Sequence, residues 1–308
     1  MNKTVAILIA GPTASGKSAL AHALAERLSG TVINADSMQV YRELRILTAR
    51  PSEAETAAVP YRLYGHVPGH EAYSAARYAD EARSAIAEAQ AAGRIPVVVG
   101  GTGLYFKALL EGLSPIPPIP PDIRTRWRDA AAEQGAAALH AVLAKRDPVM
   151  AARLRPSDPQ RIVRALEVLE ATGISLATWQ EMPGEPVIQL DEALPLVVSP
   201  PREVLRQRID ARFDAMIEEG ATEEVRALAR LGLDPDLPLM RALGVRPLMD
   251  MLAGRVSAIE AVEGAKAETR QYAKRQVTWL RSNMNAWKWQ NTQDMESLSR
   301  HFCDIIKA

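Results

Sequence analysis

The stretch that most constrains what this chain can fold into is residues 11–18, Gly-Pro-Thr-Ala-Ser-Gly-Lys-Ser. Before it, Val5–Ile9 is an unbroken apolar run that reads as a buried parallel strand. After it, residues 19–28 (ALAHALAERL) read as a helix. Gly11-x-x-x-x-Gly16-Lys17-Ser18 between strand and helix is the P-loop pattern. Glycine lets backbone N–H groups curl around phosphate oxygens with no Cβ in the way, so Gly11, Pro12, Thr13, Ala14, Ser15 and Gly16 read as a phosphate cradle. Lys17 adds a mobile positive charge, Ser18 offers a hydroxyl to Mg²⁺, and the following helix adds its positive dipole end. The plain alternative is an ordinary glycine turn, which needs neither the lysine nor the hydroxyl. Such a loop recognises phosphates and not the rest of the ligand, and its most common ligand is a nucleotide such as ATP.

Composition narrows the setting. A chain of 308 residues, 47% hydrophobic and 24% charged, has ample core for one large domain or two. No apolar run approaches the length of a membrane span. The apolar N-terminal stretch is short and runs straight into the P-loop, so it reads as the first strand and not as a signal peptide. A single cysteine, Cys303, excludes an intramolecular disulfide and a cysteine-based metal cluster. A cytoplasmic protein without membrane association is expected. Lysine plus arginine balance aspartate plus glutamate at 37 each, so only local clustering of charge speaks for nucleic acid.

Along the chain, Thr31–Ala35 reads as a second short strand that ends at Asp36-Ser37-Met38-Gln39. Ligands of open parallel α/β sheets sit at the carboxyl ends of strands, which puts Asp36 on the same rim as the P-loop. Spacing alone leaves Asp36 equally suited to a catalytic role and to capping a helix that starts at Ser37. Residues 61–67 are a weaker strand candidate, Ala72–Ala92 an alanine-rich helix, and Ile95–Val99 a strong buried strand. The last of these ends in Gly100-Gly101-Thr102-Gly103, which brings backbone donors and the Thr102 hydroxyl to the rim before a helix through Leu110. Residues 114–121 are dominated by proline and read as a stiff linker. The pattern from Asp122 to Thr172 is helical with breaks at Gly135, Pro148 and Pro156, residues 173–193 look irregular, and Leu194–Val198 resumes the buried-strand pattern. The remainder is mostly helical, with a break at 233–239 and a possible edge strand at 286–290. The expectation is an α/β fold: a P-loop NTPase-like parallel sheet flanked by helices over 1–114, an all-helical insertion over 115–193, and core completion over 194–308.

P-loop, Asp36 and Thr102 come from separate strands and together describe a pyrophosphate site with a carboxylate beside it. The carboxylate either coordinates Mg²⁺ or takes a proton from an attacking nucleophile. No later apolar run ends in the aspartate of a separate Walker B, which disfavours hydrolytic motors and switches and favours transferases akin to small-molecule kinases. Basic residues cluster in three places: Arg124, Arg126 and Arg128; Arg153, Arg155, Arg161 and Arg164; and Lys266, Arg270, Lys274, Arg275, Arg281 and Lys288 against one acid, Glu268. Tyr272, Trp279, Trp287 and Trp289 are interleaved with the third cluster. A positive surface with aromatics suits RNA with unstacked bases, whereas a solvated helix face with core tryptophans explains any single cluster as well.

These residues resemble one family throughout, the tRNA dimethylallyltransferases (tRNA isopentenyltransferases). The likeness runs through GPTASGKS (11–18), INADSMQVYR (33–42), EAYSAARYADEA (71–82), VVVGGTGLYFKALLEGL (97–113), SDPQRIVRALEVLEATG (157–173) and TRQYAKRQVTWLR (269–281). It is weaker over 174–265, where Val245 stands in place of the family's usual tyrosine while Arg241, Gly244 and Arg246 are kept. The resemblance implies transfer of a dimethylallyl group from dimethylallyl diphosphate to the exocyclic amine of the adenosine beside the anticodon, assisted by Mg²⁺. By that resemblance Gly11–Ser18 hold the donor diphosphate, with Ser18 at the metal. Asp36 is the general base, Thr102 stands between base and diphosphate, and Ser37, Met38 and Gln39 hold the extruded adenosine. Arg124, Gln160, Arg161, Arg164, Arg241, Arg246, Lys274, Arg275, Gln276 and Arg281 are then expected to contact the tRNA anticodon stem-loop. A monomer is expected. Two other readings stay open beside it: an ATP-using small-molecule or nucleoside kinase, and a non-enzymatic RNA-binding protein with a relic P-loop.

Overall fold

The structure, a computed structural model, describes residues 6–291 and 294–307. Val5, expected at the head of the first strand, lies outside the described residues. In chain order the elements are β1 (Ala6–Ala10), α1 (Lys17–Arg27), β2 (Thr31–Asn34), α2 (Glu53–Ala58), β3 (Tyr61–Arg62), α3 (Ala75–Ala91), β4 (Pro96–Gly100) and α4 (Gly103–Glu111). Then follow α5 (Pro121–Arg146), α6 (Pro148–Arg153), α7 (Pro159–Thr172) and α8 (Leu176–Glu181). The chain continues through β5 (Ala193–Val198), α9 (Arg202–Glu218), α10 (Ala221–Arg230), α11 (Val245–Leu252), α12 (Ala258–Asn283), β6 (Lys288–Gln290) and α13 (Met295–Lys307).

The strands form one sheet in the order β3-β2-β4-β1-β5-β6, and every pairing is parallel. Period-two alternation divides β1 between two cores. Ala6, Leu8 and Ala10 join Ile33, Val98 and Val197 under α3, α4 and α12, through Tyr78, Phe106 and Leu280. Ile7 and Ile9 face the other way, with Val32, Val97 and Leu196, onto Leu20 and Leu24 of α1 and Phe302 of α13. Burial on both faces explains why these strands read as continuous apolar runs. A third cluster packs Val40, Tyr41 and Leu44, just beyond β2, against Phe213, Val225 and Leu248 from α9, α10 and α11.

The chain divides into two compact units, Met1–Leu110 with Val187–Ala308, and Glu111–Pro186. The second is all-helical around Leu139, Leu143, Ile162 and Leu166. α5 is broken at Gly135, whose backbone is not helical, and Pro148 and Pro159 each open a new helix. Its end falls at Pro186 and not at 193, because the N–H groups of Val187 and Ile188 donate to the Leu109 carbonyl and Ile188 is buried in the sheet's core. The segment 173–193, expected to be irregular, contains α8, capped by the Ser175 hydroxyl. A helix of six residues shows too little periodicity to read in sequence.

Two further expectations shift. Only Tyr61–Arg62 of the 61–67 run pairs with β2; the backbone then takes positive φ at Leu63 and Gly65, and Val67 makes a lone bridge to Tyr41. α3 starts at Ala75 because the Ser74 hydroxyl accepts the Arg77 N–H. The 286–290 run supplies the edge strand β6. Replacing Leu8, which is fully buried, by alanine is expected to lower unfolding free energy by about 3 kcal/mol in urea titration. Leu104→Ala, at a half-exposed position, should change it by less than about 0.5 kcal/mol.

Candidate active site

β2, β4 and β1 are neighbours in the sheet, so the loops that leave their carboxyl ends are neighbours too. The three features expected on the rim therefore meet. The P-loop runs from β1 into α1 with Ala14 at φ 61 and Gly16 at φ 92, both left-handed. Glycine adopts that conformation freely, but alanine at position 14 carries local strain of about 1 kcal/mol, a common mark of a functional loop. Lys17 opens the helix with its Nζ resting 3.2 Å from the Pro12 carbonyl. Burial pushes the Lys17 ammonium down to about 8; the Asp36 carboxylate opposes this and the Arg212 guanidinium adds to it. Ser18 is exposed at the loop's end.

Two cations that sequence reasoning missed complete the cradle. From α9, Arg212 donates to the Thr13 hydroxyl, and Arg208 Nη1 lies 3.4 Å from the Ser15 carbonyl. Burial lowers the Arg212 guanidinium, against an opposing pull from Asp36. A signal for both was present. β5 lies beside β1, so the helix after it leaves from the same rim, and arginines four apart share one face.

Asp36 is held by its backbone. The buried Asn34 side chain accepts the Asp36 N–H at 2.8 Å and donates to the carbonyls of Asp36 and Leu63 at 2.9 and 3.0 Å. Asp36 Oδ1 accepts the Met38 N–H at 3.0 Å, which leaves Oδ2 facing Gly101. No helix starts at Ser37; residues 37–40 form a turn, and the capping alternative for Asp36 gives way to this turn. Thr102 Oγ1 accepts the Ser37 N–H at 2.9 Å and donates to the Ser37 hydroxyl at 3.3 Å, which joins the second and third loops. Burial first and the Asp36 charge second raise the Tyr105 and Tyr272 phenols above their ordinary range.

The expected RNA contacts fare unevenly. Lys274, Arg275 and Arg281 are exposed on α12, with Arg275 stacked 5.6 Å from the Tyr272 ring. Arg124, Gln160 and Arg161 are exposed, and Arg161 also pairs with Asp158 at 3.2 Å. Arg164 pairs with Glu167 at 3.7 Å and Arg241 with Asp236 at 3.6 Å, while Arg246 is exposed on the first turn of α11. Gln276 corrects its assignment: it is buried, its amide engaged by Thr13 and Gly101, so it offers nothing to RNA. Both N–H groups of Gln39 are taken by the Thr48 and Ala49 carbonyls at 2.8 Å. In the third basic cluster, Lys266 pairs with Asp214 and Glu263 and Arg270 pairs with Asp210, so those charges hold helices together. Trp287 belongs to the core against Phe106, and the half-buried Trp289 donates to the Met284 carbonyl.

A cationic glycine-bounded loop beside a carboxylate and a threonine hydroxyl, at the carboxyl edge of a parallel sheet, is the build of a P-loop transferase. The family profile described as IPP transferase matches residues 39–283, and that described as isopentenyl transferase matches 4–65. The chain belongs to the tRNA dimethylallyltransferase family. It is 55% identical to a tRNA dimethylallyltransferase of Parvibaculum lavamentivorans, over 98% of this chain and 95% of that protein. It is 53% identical to that of Methylocella silvestris, over 96% of this chain and 98% of the relative. The solved structure of the full-length tRNA isopentenylpyrophosphate transferase from Bacillus halodurans matches with a TM-score of 0.69 and 33% identity, covering 100% of this chain and 97% of that one. A eukaryotic dimethylallyltransferase described as acting on tRNA matches at 0.76 and 31% identity, over 89% of this chain and 69% of that one. These relatives are prenyl transferases, which sets aside the kinase reading.

The Lys17 pKa near 8 has a consequence for binding. A bound polyanion favours the ammonium and raises its pKa, so affinity is flat below pH 8 and falls about tenfold per unit above it. Calorimetric titration with pyrophosphate from pH 7 to 9.5 should show this loss in the wild type and its absence in Lys17→Arg, after both are corrected for titration of pyrophosphate itself.

Proposed function

We propose that this chain transfers a dimethylallyl group from dimethylallyl diphosphate to the exocyclic N6 amine of the adenosine 3′ of the anticodon in tRNA, with release of diphosphate. The observation that carries the reading is the meeting at Gly101, where a Cβ would fall 3.4 Å from Asp36 Oδ2 and 3.4 Å from the Gly11 carbonyl, so a proton acceptor stands beside the P-loop that carries Lys17. The carbon–oxygen bond of the donor breaks and its electron pair leaves on diphosphate, where loop N–H groups, Lys17 and Arg212 stabilise the growing charge. The N6 nitrogen forms the new bond to carbon, and its proton passes to Asp36 Oδ2. Thr102, hinged to Ser37, holds the side of the site where the amine arrives.

The residues fit a magnesium ion of the P-loop kind. No group of three His, Cys, Asp or Glu side chains among the described residues is placed to hold a metal alone; Ser18 would hold the ion through its hydroxyl together with the bound substrate. Bound there, Mg²⁺ would neutralise charge on the leaving diphosphate. Lys274, Arg275 and Arg281 on α12, Arg241 and Arg246, and Arg124, Gln160, Arg161 and Arg164 of the helical unit would meet the RNA. The target base would leave its stack to be read. The enzyme would act as a cytoplasmic monomer.

Three measurements test this. Nucleosides from tRNA incubated with the protein, Mg²⁺ and dimethylallyl diphosphate should contain the isopentenylated adenosine by mass spectrometry. Asp36→Asn should lower kcat about 10²–10⁴-fold with pyrophosphate affinity altered less than about threefold; turnover near wild type would remove Asp36 as the base. Arg161→Ala with Arg275→Ala should weaken tRNA binding and reduce the slope of log affinity against log salt by about 1.5. An unchanged slope would show that neither arginine meets a phosphate.

A further inference from the structure

We propose that Gln276 is the positioning residue that sets the separation between the diphosphate cradle and the Asp36–Thr102 side of the site. The inference rests on the transferase reading above. Gln276 lies on a stripe of α12 whose other members, Thr269, Ala273 and Leu280, are also buried. A primary amide in such a stripe is costly unless its donors and acceptor are met. Gln276 Oε1 accepts the Thr13 N–H at 2.9 Å, and Nε2 donates to the Gly101 carbonyl at 2.9 Å. The partners decide the amide's orientation, since a backbone N–H only donates and a carbonyl only accepts.

What those partners belong to gives the amide its role. Thr13 is in the P-loop after β1, and Gly101 precedes Thr102 after β4. The ladder between these strands ends at the pair Ala10–Gly100. Beyond it the loops diverge: the Thr102 N–H turns to the Ala35 carbonyl at 3.2 Å, toward β2. Gln276 spans the gap from a third element.

Gly101 shows how tightly the arrangement is set. A Cβ there would fall 2.2 Å from Gln276 Nε2, 3.4 Å from Asp36 Oδ2 and 3.4 Å from the Gly11 carbonyl. The tie, the base and the cradle thus converge on one residue without a side chain. Gln276 reaches no reacting atom. It acts through Thr13 and Gly101, by holding donor and amine at the spacing in which their orbitals meet, where a displacement of about 1 Å costs about a hundredfold in rate.

Substitutions with opposite chemistry separate this from a packing role. Gln276→Leu keeps the volume and loses both bonds; kcat should fall ten- to a hundredfold while KM for each substrate changes less than threefold. Gln276→Glu as a carboxylate accepts from Thr13 but repels the Gly101 carbonyl, whereas as a neutral acid it regains a donor. Its kcat relative to wild type should therefore rise at least tenfold from pH 8 to pH 6. Single-turnover transfer to tRNA by the full chain, with circular dichroism to establish folding, reads both. Should Gln276→Leu fail to fold, the pH ratio of Gln276→Glu decides. A folded leucine variant with wild-type kcat, or a glutamate variant whose ratio ignores pH, overturns the assignment. In either case an active wild type leaves the transferase reading standing, whereas an inactive wild type overturns that reading and the inference with it.

Discussion

The whole site depends on all six strands running the same way. In a parallel sheet each ladder ends at one edge, and every chain exit there presents backbone groups that the sheet no longer satisfies. β1 lies inside the sheet, between β4 and β5, so its exit loop is surrounded by other exits. The P-loop can then be met by groups from outside itself: Gln276 on α12, and Arg208 and Arg212 on α9. An antiparallel neighbour would have sent its loop to the opposite edge.

Charge is the second constraint. Lys17 and Arg212 both lose stability as cations through burial, and Asp36 returns part of it to each. A diphosphate would supply the rest. The loop is therefore assembled in a state that favours an incoming polyanion, and the carboxylate that offsets the burial of both cations is the one proposed as the proton acceptor. The backbone around Asp36 is fixed by Asn34, and its Oδ1 by the turn to Met38.

Much of this was legible along the chain. Gly11–Ser18 and the apolar runs at Ile7, Val97 and Leu196 named a P-loop parallel sheet, because strands buried on both faces leave an uninterrupted signal. The prolines at 114–121 and 148, with Gly135, marked the helical unit's breaks by removing N–H donors or helical backbone. On spacing alone Asp36 was ambiguous, since an aspartate before a serine satisfies a cap and a base equally; only the family resemblance chose the base. α8 was missed because a single short helix has no repeat to count. Gln276 was misplaced because the family resemblance assigned the 274–281 segment to RNA as a block, without regard to which way each side chain points. Only the rotation of α12 reveals that it points inward.

Sequence by itself determined the P-loop pattern, the strand that precedes it and the family's order of motifs, because each depends on residues close together in the chain. Tertiary structure alone decided which cations are spent on ion pairs, as Lys266 and Arg270 are, and which remain at the surface, as Lys274 and Arg281 are. It also brought Arg212 and Gln276 to the P-loop across separations of 199 and 263 residues. Contacts of that range leave no local pattern. They exist only once the parallel sheet has fixed where each strand ends.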